Sequence, residues 1–145
     1  MSVEPLRKFF SASQFAVVGA STDTAKFGNK ILKWYVDHSL PVTGINPSEP
    51  TVYGIKSAAS LDALLSQIGS DAPLSVSIVT PPPVSREAVK FLSQVGENRI
   101  KGVWLQPGSF DQSTLDAGSD KLNLIAGGRC VLVEGESGLQ AVGKL

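Results

Sequence analysis

The sequence predicts an α/β protein built on a doubly wound parallel sheet, and three observations carry that expectation. Short runs that are apolar at nearly every position, beginning with Phe15-Ala16-Val17-Val18, recur along the chain, as strands buried on both faces require. Between them lie segments whose apolar residues have helical spacing. Successive apolar runs also end in special turns: Gly19-Ala20-Ser21, Asn46-Pro47, Thr80-Pro81-Pro82 and Gln106-Pro107-Gly108.

The chain opens with a predicted helix, capped by Ser2, with Pro5 in its first turn and Leu6, Phe9 and Phe10 on the side that packs on the sheet. The first strand runs into Gly19-Ala20-Ser21. A glycine there lets a ligand phosphate approach the backbone near a helix N-terminus; the alternative is a tight turn and nothing more. The polar connection from Thr22 to Phe27 is long for an α/β unit, where about two to six residues are usual, and long loops at that place tend to carry function. A helix over 28–38 follows, burying Ile31, Leu32, Trp34 and Tyr35 and leaving His38 as a surface residue at its C-terminal end.

The second strand covers 41–45 and is closed by Asn46-Pro47, because proline forces its predecessor into extended geometry and cannot continue a central ladder. Residues 48–59 read as irregular, with a short edge strand over 52–55. Ser60 caps a helix carried by Leu61, Leu64, Leu65 and Ile68 and stopped at Gly69. The third main strand, 74–80, ends at Pro81-Pro82-Pro83, and Ser85 caps the helix that turns Ala88, Val89, Leu92 and Val95 inward. A strand over 100–105, a weaker helix over 111–120 and a last parallel strand over 122–126 complete the alternation. Gly127-Gly128-Arg129-Cys130 then turns the chain into a short apolar segment, 131–133, and 134–145 has no assigned element.

Five main strands alternating with helices imply right-handed crossovers and a Rossmann-like sheet in a single three-layer α/β/α domain over 1–145, with its core over about 15–133. The expected order of the main strands is second, first, third, fourth, fifth, with any short strand near Val52 at the second-strand edge. Ligands of such sheets bind beyond the carboxyl ends of the strands where winding reverses, here between the first and third main strands. Gly19-Ala20-Ser21 and Thr80-Pro81-Pro82 then face each other across the crevice, flanked by Asn46-Pro47 and Gln106-Pro107-Gly108. Pro81 and Pro82 serve there as a rigid apolar wall or only as a strand terminator.

Bulk properties narrow the function. A chain of 145 residues, 42% hydrophobic and 18% charged, buries a core without disulfides or a structural metal. Net charge is zero with no block of like charge, which argues against nucleic acid or an anionic membrane surface as partner. No apolar run approaches the roughly 18 residues of a membrane helix. Cys130 is the single cysteine, which excludes an internal disulfide and a cysteine-based zinc site and fits a reducing compartment. The expected location is cytoplasmic. Arg7, Lys8 and the nearby serines have presequence character, but Glu4 and the strand starting at Phe15 leave little removable length, which makes a mitochondrial location the lesser reading.

Taken as an ordered set, Val18-Gly19-Ala20-Ser21, Lys26-Phe27-Gly28-Asn29-Lys30, Gly44-Ile45-Asn46-Pro47, Val79-Thr80-Pro81-Pro82, Val103-Trp104-Leu105-Gln106-Pro107-Gly108 and Gly127-Gly128-Arg129-Cys130 resemble the CoA-binding domain family of small Rossmann-like proteins. That family is related to the N-terminal domain of the succinyl-CoA synthetase alpha subunit. The resemblance implies coenzyme A or an acyl-CoA as ligand, with its nucleotide end in the crevice. Its contacts would be Gly19, Ala20, Ser21, Lys26, Phe27, Gly28, Asn29, Lys30, Asn46, Pro47, Thr80, Pro81 and Pro82, with Gln106, Pro107 and Gly108 beside them. Phosphates ask for backbone N–H groups, hydroxyls and one or two cations, which Ser21, Thr22, Lys26, Lys30 and Arg86 are placed to supply, with Lys26 the first candidate for the 3′-phosphate.

Four rival functions compete with a binding module. An NAD(P)-dependent oxidoreductase lacks its glycine fingerprint and has Asn46 where an acid would hold the adenosine ribose. A ligase lacks its catalytic half, and serine hydrolysis lacks both a nucleophile elbow and a base. A scaffold or regulatory subunit with a vestigial nucleotide site stays open, as does a homodimer or a protein partner. No catalytic and no metal-ligating residue is assigned. Cys130 is read as a small buried hydrophobe, with redox exchange at the crevice as the alternative.

Overall fold

The computed structural model describes residues 3–69, 71–118 and 121–144. In chain order the elements are α1 (Glu4–Phe10), β1 (Gln14–Val18), α2 (Phe27–Asp37), β2 (Val42–Ile45), β3 (Thr51–Val52), β4 (Ile55–Ala58), α3 (Leu61–Gln67), β5 (Leu74–Ile78), α4 (Pro82–Val95), β6 (Ile100–Leu105), α5 (Gln112–Gly118), β7 (Leu124–Ile125) and α6 (Val131–Ala141). They form one sheet of order β3-β4-β2-β1-β5-β6-β7, parallel throughout except for the antiparallel β3–β4 edge pair. The expected order of the main strands holds, and the edge hairpin lies beyond β2.

Strand periodicity divides the apolar residues between two cores. From β1, Phe15 and Val17 join one face and Ala16 and Val18 the other. The first face is roofed by α1, α2 and α6 and holds Phe9, Phe10, Phe15, Trp34, Tyr35 and Trp104. Their rings pack edge-on or tilted, with centroids 4.9 Å apart for Phe9–Phe10, 5.5 Å for Phe9–Trp104 and 5.2 Å for Trp34–Tyr35. Each such pair adds about 0.5–1.5 kcal/mol to simple burial. The second face is aliphatic, with Leu64, Val76, Ile78, Val89, Leu92 and Val103 beneath α3 and α4.

Polar groups that the sheet buries are paired to helices. Ser75 Oγ donates to Phe9 O at 2.7 Å, and Tyr35 Oη lies 2.6 Å from Ser77 Oγ. Complete burial raises the Tyr35 phenol far above its ordinary pKa. Trp104 Nε1 donates to Arg129 O at 3.1 Å, and Val131 N donates to Gln106 Oε1 at 3.1 Å, so the end of β6 fixes the start of α6.

Several local expectations are corrected. Ser85 is not a cap: α4 begins at Pro82, with Pro81 at the N-cap, because proline suits a first turn whose N–H groups have no helical partner anyway. Ser85 Oγ instead donates to Thr80 O at 3.0 Å from inside that turn. The segment read as irregular contains the β3–β4 hairpin, with Tyr53 and Gly54 at its tip, both at positive φ. The short apolar segment 131–133 is the first turn of α6, which continues to Ala141 through residues for which the sequence predicts no element. The Ser60 cap is present, accepting from Ala63 N at 3.1 Å. Val3, without a side-chain hydrogen bond, is the N-cap of α1; the cap expected at Ser2 lies outside the described residues, as do 119 and 120 at the expected end of the α5 segment.

Helix α6 seats on the aromatic face through Gly135 and Gly138. A Cβ at Gly135 would lie 2.2 Å from the Trp34 ring, and one at Gly138 2.5 Å from the Phe10 ring. Alanine normally stabilises a helix by about 1 kcal/mol over glycine. Against the buried Trp34 ring the sign should reverse: Gly135→Ala is expected to destabilise by about 1–3 kcal/mol and lower the melting temperature by roughly 3–10 °C in thermal denaturation. An unchanged or raised melt would show that α6 does not pack there.

Candidate functional site

The site grows from the end of β1. Gly19 leaves the strand at φ +95°, where an L side chain is strained and a Cβ would meet Val79 Cγ2 at 2.7 Å and Thr80 Cγ2 at 3.0 Å. Gly28, in the first turn of α2, sits so close beneath it that a Cβ there would lie 2.0 Å from Gly19 O. The two glycines let helix and strand end meet, although eight residues separate them in the sequence. Backbone bonds join the neighbouring turns: Gly19 N donates to Ile45 O at 3.3 Å, and Val79 N to Val18 O at 3.0 Å.

Two asparagines hold the loop. Asn29 Nδ2 donates to Ser21 O and Asn46 Nδ2 to Ala20 O, both at 2.9 Å. Asn46 Oδ1 also accepts from Ser48 N at 2.8 Å and Glu49 N at 3.0 Å. Ser21 Oγ accepts from Asp23 N, and Asp23 Oδ1 from Ala25 N. The long polar loop is therefore an ordered chain of side-chain-stabilised turns that delivers Lys26 to the N-cap of α2, where no side chain caps the helix. Asn29 N turns back to Lys26 O at 3.2 Å, while the N–H groups of Phe27 and Gly28 have no hydrogen-bond partner among the described residues and lie at the positive end of the helix dipole.

Around these turns lies a cavity of about 420 Å³. β1 and its turn supply Val18, Gly19, Ala20, Ser21 and Lys26; the end of β2 supplies Ile45, Asn46 and Pro47; Ala59, Thr80 and Val84 close it. Val18 pairs in register with both Ile45 and Ile78, so the last residues of adjacent strands make an apolar floor. Lys26 is the one charged residue among those that line it. The arrangement suits an anion at the uncapped helix end joined to an apolar or aromatic body over the strand ends.

Seven of the sixteen expected site residues line this cavity: Gly19, Ala20, Ser21, Lys26, Asn46, Pro47 and Thr80. Gly28 and Asn29 are buried beneath it, and Phe27 packs against the aromatic core. Lys30 points elsewhere, lining a shallow hollow with Lys33, Trp34, Asp37 and Leu132. Pro81 and Pro82 begin α4, and the wall expected of them is supplied by Val84, half exposed three residues after the N-cap. Gln106 is fully buried, while Pro107 and Gly108 form an exposed turn at the end of β6. Arg86 reaches toward Ser113 on α5. Val18, Ile45, Ala59 and Val84 were missed, although the rule that strand termini floor such a crevice points to the first two.

A larger open groove of about 530 Å³ runs between α3 and α4, lined in part by Asp62, Phe91 and Arg99. Its one cation is already engaged: Arg99 donates to the carbonyls of Leu65, Gly69 and Ala72. The first turn of α3 brings a carboxylate, Asp62, to this groove, and none of its lining residues lies at the carboxyl end of a strand, which makes it the weaker candidate. His38 stacks on Trp34 at 4.1 Å with Nδ1 2.7 Å from Trp34 O, at the end of α2 opposite Lys26. Cys130 is half-buried against the aromatic face and serves as the N-cap residue of α6. Among the described residues no group of three or more His, Cys, Asp or Glu side chains is arranged to hold a metal, and no helix is long and apolar enough to cross a membrane.

Comparison with known proteins adds a family. The profile of a family described as a CoA binding domain matches residues 13–136. Among solved structures, a conserved hypothetical protein from Pyrococcus furiosus is 28% identical, with a TM-score of 0.69 over 83% of this chain and 97% of that one. A hypothetical protein from Pyrococcus horikoshii OT3 is 24% identical, with a TM-score of 0.74 over 96% and 93%. A Thermus thermophilus protein is 22% identical, with a TM-score of 0.74 over 95% and 99%, a likeness of fold alone. Among curated proteins no significant sequence match was found.

The contact between Gly19 and Gly28 is backbone against backbone and has no flexible side chain to yield. Gly28→Ala is therefore expected to destabilise by at least about 2 kcal/mol, seen as a lower midpoint in urea unfolding. A midpoint equal to that of the unaltered chain would contradict the close approach.

Proposed function

The chain belongs to the CoA-binding domain family, and from that premise we propose that it binds coenzyme A or an acyl-CoA as a stand-alone, non-catalytic module, through the cavity at the ends of β1, β2 and β5. The observation that carries the reading is the meeting, in one cavity, of the Gly19–Ser21 turn, the uncapped α2 N-terminus with Lys26, and an apolar floor of Val18 and Ile45. The diphosphate takes the backbone N–H groups and Lys26, and the adjoining organic portion lies on the apolar floor. The cavity lining contains no paired nucleophile and base, which favours binding over catalysis.

An oxidoreductase reading gains nothing from Asn46. Its amide donates to Ala20 O and its carbonyl oxygen already accepts from two backbone N–H groups, which leaves no acidic acceptor there for a ribose diol. The cytoplasm is the compartment we infer, from a sequence whose one cysteine has no second thiol to pair with.

At a concentration 100-fold above its dissociation constant, CoA is expected to add about 2.7 kcal/mol of stability, a melting shift of roughly 5–10 °C, while NAD at equal concentration moves the transition far less. Dephospho-CoA should fall between them. Lys26→Ala is expected to weaken CoA binding by about three- to tenfold and to leave the unliganded melt within about 2 °C, because the side chain is exposed. Equal stabilisation by NAD would return the oxidoreductase reading, and no shift with either ligand would return the scaffold.

A further inference from the structure

Away from the crevice, two elements leave apolar surface uncovered beside α2. Val133 is 80% exposed and Leu132 41%, both in the first turn of α6, and Tyr53 is 43% exposed at the tip of the β3–β4 hairpin. Leu132 closes a hollow of about 250 Å³ against Lys30, Lys33 and Trp34 of α2. Tyr53 lies on the other flank of that helix, within electrostatic reach of the Lys33 ammonium. The three side chains therefore border one surface, with the exposed face of α2 between them. Apolar residues scattered singly need no explanation, but aliphatic and aromatic groups gathered along one helix mark a contact surface.

The backbone of Tyr53 points the same way. Its φ of +50° is a left-handed conformation that glycine and asparagine adopt readily and a bulky aromatic residue does not. Val52 beside it supplies the core packing of the hairpin, and the Tyr53 ring is turned outward.

Charge decides what covers the surface. Helices α2 and α6 run in the same direction, since Leu132 meets Lys33 and Trp34 while Glu136, one turn later, lies 3.5 Å from His38 at the end of α2. Cations, Lys30 and Lys33, thus stand at one end of the surface and carboxylates, Asp37 and Glu136, at the other. Lys33 and Asp37 pair with each other. Lys30 forms no ion pair among the described residues, and the one partner of Glu136 among them is His38. A surface that is basic at one end, acidic at the other and apolar between is its own complement after a half-turn.

From this arrangement we infer that the α2–α6 surface docks a second copy of the chain in a two-fold dimer. The axis runs across both helices at the level of Leu132 and Trp34 and sets the helices of the two copies antiparallel. Val133 of each copy then packs against the other, and Lys30 comes over Glu136 of the second copy. The pairing needs no ligand and stands apart from the CoA reading.

Sedimentation velocity of the ligand-free chain over about 1 to 100 μM tests the pairing, with the thermal melt of every variant measured alongside. The unaltered chain is expected to pass from monomer to dimer within that range. Val133→Glu should weaken self-association by about tenfold or more while sparing the fold, because the side chain is exposed and a carboxylate suits the first turn of a helix. Lys30→Glu and Glu136→Lys should each weaken it by about threefold or more, and the double exchange should recover most of that loss, which a damaged fold cannot do. A chain that stays monomeric throughout overturns the inference and leaves the surface to a different protein. A dimer that survives Val133→Glu unchanged, or a double exchange no better than either single variant, overturns it equally.

Discussion

The contact between the carbonyl of Gly19 and the first turn of α2 sets the geometry on which the rest of the site depends. With less room than any side chain needs, Gly28 brings the helix N-terminus against the end of the central strand. Three consequences follow from that one approach. The uncapped amides of α2 open beside the crevice, Lys26 is held at its rim, and the Ala20 and Ser21 carbonyls come within reach of Asn46 and Asn29. A dinucleotide fingerprint achieves a similar approach with closely spaced glycines. Here an ordered loop of Asx and serine turns spans the interval instead.

The two cores make this approach rigid. Helix α2 is held on the sheet by Trp34 and Tyr35, and the Tyr35 hydroxyl reaches Ser77 in the adjacent strand β5. On the same face α6 closes over Trp34 and Phe10, and its own start is fixed from β6 by Trp104 and Gln106. The strand ends that floor the cavity are thus positioned by packing on both faces of the sheet, while the loops supply the polar contacts. Rigid strands with functional loops at one edge is the division expected of an open α/β sheet.

Much of this was legible in the sequence because it is local. Buried parallel strands are apolar runs whatever their neighbours, and the turns at Gly19, Asn46 and Pro81 each follow one. The hairpin strand Ile55–Ala58 was not legible, since an edge strand with Lys56 and Ser57 in its middle loses the apolar signature. Helix α6 was hidden by Gly135 and Gly138, poor helix formers whose value appears only against rings that are about a hundred residues away in the chain. Lys30 was misplaced because a helix starting at Phe27 rotates it onto the face shared with Lys33, Trp34 and Asp37. Asn29 and Asn46 were assigned as ligand contacts, but their amides hold the loop's backbone, a role that sequence does not separate from ligand binding.

The central claim is that the ligand enters between the Gly19 turn and the end of β2, rather than between α3 and α4. Backbone amide chemical shifts followed during a CoA titration test it most directly. The account predicts that the largest changes fall at Gly19, Ala20, Ser21, Phe27, Gly28 and Thr80, with Asp62, Phe91 and Arg99 unmoved. Changes confined to the α3–α4 groove, or spread evenly over the chain, would contradict it.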